Sequence, residues 1–266
     1  DLFQTFFQRI KGKIIIALDE FPFLISSNSA IPSIFQRIWD ESLVKKEVML
    51  ILLGSSIKMM ETHILGYKSP LYGRRTGQWK LEALKFDILK EFYKKSDFEE
   101  VMQYFSIVDG IPGYLNKIDP KKNTKWNILN NIIKKGAYLY EEAEFLLRQE
   151  LREPTHYFQI LKTVAQGNTK YGEIANQTGF DKSKLSQYLK NLIELRIIII
   201  EFPVTQGRQR RNTRYFLGDN YYSFWFKFVY PNKSLIEEGK EQEVWENNKE
   251  PYHKYLSFVF EQVVKQ

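Results

Sequence analysis

The sequence contains no cysteine. Disulfides and cysteine-ligated zinc are therefore excluded. Histidine is scarce too. His63, His156 and His253 lie far apart, without the close spacing that zinc sites show. Long apolar runs are missing. The densest runs, Ile14–Leu18, Val48–Leu53 and Ile197–Ile200, have strand length, whereas a membrane helix needs about 20 apolar residues. No membrane span is expected. The opening Asp1-Leu2-Phe3-Gln4 has no leader pattern and no initiator methionine. A cytoplasmic chain, cut or only partly represented, is the expectation. Charge is plentiful: 39 Lys+Arg against 32 Asp+Glu gives +7. That excess permits a polyanion partner and by itself explains solubility rather than function.

With 266 residues the chain can bury more than one core. Lys13–Leu18 is a short β-branched run of the kind that forms a strand buried on both faces. Ile31, Ile34, Phe35, Ile38 and Trp39 follow at helical spacing, and Val48–Leu53 is a second apolar strand. Strand, helix and strand predict a βαβ unit and a parallel sheet. A weaker third strand is predicted over Gln78–Leu81. Beyond Phe86 the pattern is helical, with candidates at Phe86–Lys95, Asp97–Val108, Lys125–Lys134 and Tyr140–Glu150. Glu153-Pro154 closes this stretch, because the residue before proline avoids helix.

Tyr157–Gly218 has another signature. Helices are predicted over Tyr157–Ala165, Tyr171–Thr178 and from an Asp181 cap to Leu195. Ile197–Pro203 and Arg214–Leu217 then read as strands around a polar tip. Three helices followed by a hairpin make a winged helix-turn-helix. The remaining tail is first aromatic, then charged, and Tyr255–Val264 reads as a last helix.

The chemistry concentrates at one sheet edge. Asp19 and Glu20 end the first strand, and ligands bind at that end of an open α/β sheet. Asp19 suits Mg²⁺, and Glu20 suits the deprotonation of an attacking water. A solvated acidic strand end is the alternative. Gly54-Ser55-Ser56 ends the second strand, so these hydroxyls are predicted at the same edge. Gly73-Arg74-Arg75-Thr76-Gly77 offers two arginines that suit charge on a transferring phosphate, or an ordinary surface turn.

Ile14–Glu20, Leu52–Ser56, Ser69-Pro70-Leu71-Tyr72-Gly73-Arg74-Arg75-Thr76 and Asp109-Gly110-Ile111-Pro112-Gly113-Tyr114 together resemble the archaeal ATPase family of the AAA+/STAND lineage. The resemblance runs from the start to about residue 230 and weakly beyond. It implies a RecA-like, P-loop NTPase α/β core with a helical lid. By it, Asp19 and Glu20 are the Walker B pair, and Ser55 or Ser56 is sensor 1. Arg74 and Arg75 become arginine-finger candidates. Gly110 and Pro112 belong to a Gly-x-Pro segment near adenine. ATP and Mg²⁺ are the implied cofactors. One departure is decisive: no G-x-x-x-x-G-K-[ST] occurs in the sequence. In that family the phosphate loop precedes Walker B by tens of residues. The partial core as given is expected not to hydrolyse ATP.

The expected organisation is a partial core over 1–85, a helical lid over 86–150, a winged helix over 151–219, and a linker over 220–266. That linker resembles the opening of a nuclease-like domain. Basic and amide side chains favour DNA as the winged helix's partner, as phosphate and base-edge contacts: Lys182, Lys184, Gln187, Lys190 and Asn191 on the third helix, and Arg208, Arg210, Arg211 and Arg214 at the wing. A protein partner or homo-oligomer is the alternative use of such a module. The reading that follows is a nucleotide-dependent switch acting on DNA. Its alternative is a non-hydrolysing DNA-binding regulator or interaction module with a remnant ATPase core.

Overall fold

The computed structural model describes residues 5–6, 9, 12–55, 59–151, 153–202 and 213–265. The chain divides into two compact units, Asp1–Lys80 and Leu81–Gln266. It is mixed α/β and mostly helical. Among the described residues, no helix is long and apolar enough to cross a membrane.

The first unit is built on two parallel strands, β1 (Ile14–Leu18) and β2 (Val48–Leu52). Leu18 pairs with Leu52, so the ends of both strands lie at one edge. The crossover runs through α1 (Phe21–Ser27) and α2 (Ile31–Ile38), each opened by a proline in its first turn, where the missing N–H costs nothing. Phe21, Ile25, Phe35 and Ile64 form the core over one sheet face. Phe21 and Phe35 meet edge to face at 5.0 Å. Burial on both faces, expected from the apolar runs, is not found among the described residues of this unit. Ile15 is 70% and Met49 59% exposed, because the helices cover one side only. Residues 78–81 form no strand. Trp79 and Leu81 are both 89% exposed, and a strand without a neighbour has no ladder to join.

The second unit begins with α3 (Phe86–Phe92) and α4 (Phe98–Val108). Asp97 caps α4 in a reciprocal box with Glu100, which satisfies two backbone donors. Next come α5 (Pro112–Leu115), α6 (Thr124–Asn127) continued by a π-helical turn (Ile128–Ile133), and α7 (Tyr138–Glu150). Glu153, with φ of 55°, turns the chain into α8 (Pro154–Ala165). α9 (Tyr171–Thr178) ends at Gly179, whose φ of 68° suits glycine. α10 (Lys182–Glu194) follows, capped by Asp181 accepting from the Lys184 N–H. β3 (Ile198–Glu201) and β4 (Arg214–Leu217) pair antiparallel. α11 (Asn220–Phe224), α12 (Lys233–Glu237) and α13 (Glu241–Val264) complete the unit. The sequence suggested only the last part of α13. Its buried residues are few, Val244, Tyr252, Tyr255 and Val259, and Pro251 interrupts the pattern.

A single apolar core runs through this unit, from Leu89 in α3 to Val259 in α13. Trp225 is fully buried, and its indole N–H donates to the Tyr140 carbonyl at 2.8 Å. Residues from the helical stretch, the three-helix module and the tail share this core, which resists their separate movement.

Candidate nucleotide site and nucleic-acid interface

In the first unit, strand pairing continues past the formal strand ends. Leu53 N–H donates to the Leu18 carbonyl, and Phe21 N–H to the Leu53 carbonyl, both at 2.9 Å. Between them the chain must reverse, and Glu20 takes φ of 48°, uncommon for a residue with a side chain. Gly54 is required here. A Cβ on it would lie 2.5 Å from the Pro22 ring. The tight turn gathers three polar side chains. Ser55 Oγ donates to Glu20 Oε2 at 3.2 Å, and the Glu20 N–H donates to Asp19 Oδ1 at 2.9 Å. Asp19, Glu20 and Ser55 therefore share one edge, as the parallel pairing predicted. Ser56 lies outside the described residues.

This arrangement offers a carboxylate for a hard cation and a second that already accepts from a hydroxyl. Among the described residues no group of three or more His, Cys, Asp or Glu side chains could hold a metal. A Mg²⁺ at Asp19 would thus draw its remaining ligands from water and phosphate oxygens. The sequence has no glycine-rich phosphate loop to hold those phosphates. The residues present fit the cation-and-water side of a nucleotide site but not its phosphate cradle.

The two arginines differ. Arg74 makes a forked pair with Asp40: Nε to Oδ1 at 2.9 Å and Nη2 to Oδ2 at 2.8 Å. Its Nη1 donates to the Pro70 carbonyl at 3.0 Å. The hydrogen bond from Arg74 holds the Asp40 carboxyl below its usual range. Among the described residues Arg75 makes one long hydrogen bond, 3.4 Å to the Leu65 carbonyl, and lies over the Tyr72 ring. The fork engages Arg74 in loop structure, whereas Arg75 is more loosely held.

Gly110 and Pro112 belong to the second unit. A Cβ on Gly110 would lie 1.8 Å from the Leu84 carbonyl oxygen, and Leu84 N–H donates to the Gly110 carbonyl at 2.8 Å. The glycine is thus demanded by a passing backbone. Pro112 opens α5 and is exposed. Just before them Asp109, at φ of 56°, accepts from the Gly110 N–H at 2.6 Å and from the Asn220 N–H at 2.7 Å. Burial raises its pKa. Asp219, one residue before Asn220, is pushed up to about 7 by burial and by Asp109. Sequence reading missed this acid pair, which lies 110 positions apart.

In the three-helix module, Leu185, Leu189 and Leu192 face the core, which turns Lys182, Gln187 and Lys190 outward. Lys190 lies 3.9 Å from Glu194. Lys184 is drawn inward, 3.4 Å from His156 Nε2 and 4.9 Å over the Phe180 ring. Asn191 Nδ2 donates to the Tyr157 hydroxyl at 2.8 Å, so its amide is used within the module. Arg214 donates to Thr169 Oγ1 at 3.3 Å at the start of β4. Arg208, Arg210 and Arg211 lie outside the described residues. Lys170, overlooked in the sequence, stands before α9 on an open groove of about 970 Å³, which Ser186 of α10 and Tyr215 of β4 also line.

Residues 1–118 match the model of an ATPase domain found predominantly in Archaea. Residues 158–199 match the helix-turn-helix of the arsR family of bacterial regulatory proteins, and residues 225–266 match archaeal and bacterial proteins of unknown function. An uncharacterised protein of Methanocaldococcus jannaschii is 45% identical over 264 residues, 99% of this chain and 59% of the relative. The chain thus spans less than two thirds of that relative. A second uncharacterised protein of the same organism is 49% identical over 57 residues, 21% of this chain and 55% of its own length.

Proposed function

We propose that this chain supplies the Walker B and sensor side of a STAND-type AAA+ ATPase, joined to a helical lid and a DNA-binding winged helix. The observation that carries the reading is the parallel register of β1 and β2, which gathers Asp19, Glu20 and Ser55 at one edge. In this reading Glu20 accepts the proton of the attacking water, and Ser55 fixes the carboxylate's orientation. Asp19 holds Mg²⁺. Arg75 is the better finger, because Arg74 is spent on Asp40. Bound ATP would contribute the phosphoryl group that is cleaved, and the lid would carry the winged helix with it.

The missing phosphate loop sets the test. By calorimetry this chain should bind Mg-ATP no more tightly than about millimolar. Micromolar binding would overturn the assignment of the sites. In a chain joining a phosphate loop to this segment, Glu20→Gln should keep ATP binding and abolish turnover. Undiminished turnover would place the base elsewhere.

The match to an arsR-type helix-turn-helix supports a second reading, a non-hydrolysing regulator on DNA or with a protein partner. Duplex binding by the full chain, lost in Lys182→Gln/Lys190→Gln and steeply salt dependent in the parent, would support DNA under either reading. No duplex affinity at low salt would leave the protein-partner role.

A further inference from the structure

The stretch between α5 and α7 carries a surface that neither reading uses. Residues 117–135 hold six lysines and one acid, Asp119. Two of the lysines are engaged: Lys125 pairs with Glu246 at 3.2 Å and Lys135 with Glu237 at 2.5 Å. Lys117, Lys121, Lys122 and Lys134 are exposed and have no acidic partner among the described residues. Asp119 offsets them little, since its Oδ1 accepts the Lys121 N–H at 2.9 Å within its own loop.

The loop is fastened alongside the helix that follows it. Asn127 exchanges hydrogen bonds with the Asp119 backbone, at 2.8 and 2.9 Å, and Asn131 Nδ2 donates to the Lys117 carbonyl at 2.7 Å. The loop therefore runs back along the helix, with Lys117 near its end and Lys122 near its start. Each of these lysines reaches an aromatic ring. Lys122 Nζ lies 5.7 Å from the Trp126 centroid and Lys117 Nζ 4.6 Å from that of Tyr138. The rings remain accessible: Trp126 is 38% and Tyr138 53% exposed. Large aromatic rings left at the surface among unpaired cations cost solvation that a ligand would recover.

We propose that this face binds single-stranded nucleic acid, with phosphates on Lys117, Lys121, Lys122 and Lys134 and bases stacked on Trp126 and Tyr138. Cations alone suit any polyanion. Accessible rings interleaved with them select unpaired bases, because only those expose a π-face for stacking. The site is separate from the winged helix and does not depend on the ATPase reading.

The test is fluorescence anisotropy of a labelled oligo-dT of about 20 nucleotides, and of a duplex of equal length, with the full chain. Three proteins are compared with the parent: the quadruple Lys→Gln variant at 117, 121, 122 and 134; Trp126→Leu; and Lys182→Gln/Lys190→Gln in α10. The quadruple variant should weaken oligo-dT binding at least tenfold. It should also flatten the log–log salt slope by about 3, since each lost single-strand contact removes about 0.7. Trp126→Leu should weaken binding about tenfold with the slope unchanged. The α10 variant should leave oligo-dT affinity within about twofold. All the substituted side chains are on the surface, and equal melting temperatures verify folding. Oligo-dT affinity unchanged in the quadruple variant, or absent in the parent at low salt, would overturn the proposal. So would a silent Trp126→Leu, which would reduce the face to a solvated basic surface.

Discussion

The two units solve the problem of burial differently. The first covers one face of a two-stranded sheet with short helices and leaves Ile15 and Met49 open on the other. The second wraps helices from three stretches of sequence around one aromatic-rich core. The acidic edge therefore sits on the thinner scaffold, and the helix-turn-helix on the thicker one. Local stability follows buried apolar contact. Hydrogen exchange should be slow in α4, α8 and α10 and faster in β1 and β2. The contrast teaches that the acidic edge of the first unit depends on a few close fits, whereas the second unit rests on its shared centre.

The largest expected effect is at that centre. Trp225 is fully buried, touches Phe226 and Tyr230, and satisfies its N–H on the Tyr140 carbonyl. Trp225→Ala should cost about 4 kcal/mol in denaturant unfolding, from lost apolar burial and the cavity left behind. A cost below about 1 kcal/mol would mean that the core is not continuous across the second unit.

A comparable effect of opposite sign is expected at the junction of α4, α11 and α13. Burial, with Asp109 beside it, raises Asp219 to about 7 in the folded chain, from 3.8. The groups around the pair are Tyr114, Tyr222 and Tyr255, and Glu142 in turn faces Tyr114 and Tyr222. Between those two values the folded state holds a proton that the unfolded state has released. Stability therefore falls as pH rises from about 4 to about 7, and the whole penalty is present above that. Asp219→Asn keeps an acceptor for the Tyr222 N–H and removes the charge. It should stabilise the chain by about 3 kcal/mol near pH 8, and by little near pH 4. Equal gains at both pH values would exclude a buried charge as the cause.

Two glycines then compare the units directly. Gly110→Ala forces a methyl into the Leu84 backbone, and Gly54→Ala forces one against the Pro22 ring. Each should cost about 1–3 kcal/mol, with Gly110 the worse because backbone yields less than a ring edge. Exchange should quicken only in the unit that carries the substitution. Quickening in both would show that the units are energetically coupled.

What the sequence revealed and what it hid follow one rule. Features set by neighbours along the chain were legible. The apolar runs at Ile14 and Val48 became paired parallel strands, Asp181 capped α10, and Glu153-Pro154 separated α7 from α8. Features set by distant partners were not. Arg74 looked free because Asp40 lies 34 positions away. Asn191 looked like a base reader because Tyr157 is likewise remote. The α10 helix was visible from its leucines. Which of its polar residues turn outward required the positions of α8 and of His156. The same holds for the sheet: β-branched runs announce strands but not how many faces will be covered.

The smallest expected effect bears most directly on the comparison. Ile15 stands in the middle of β1 and is 70% exposed. Ile15→Thr keeps the β-branched shape that suits a strand and exchanges a methylene-bearing apolar branch for a hydroxyl. On an open face the hydroxyl finds water, so no buried polar group is created. The change in stability should stay within about 0.5 kcal/mol. On a covered face the same substitution would lose apolar burial and strand a hydroxyl, which costs about 1–3 kcal/mol. Leu18→Thr is the internal control, because Leu18 packs against the Phe21 and Phe35 cluster on the covered side and should show the larger cost. A large loss for Ile15→Thr at high protein concentration that vanishes on dilution would reveal a second copy lying over this face. A loss independent of concentration would mean that the sheet is buried on both sides within the chain, and the contrast between the two units would fail.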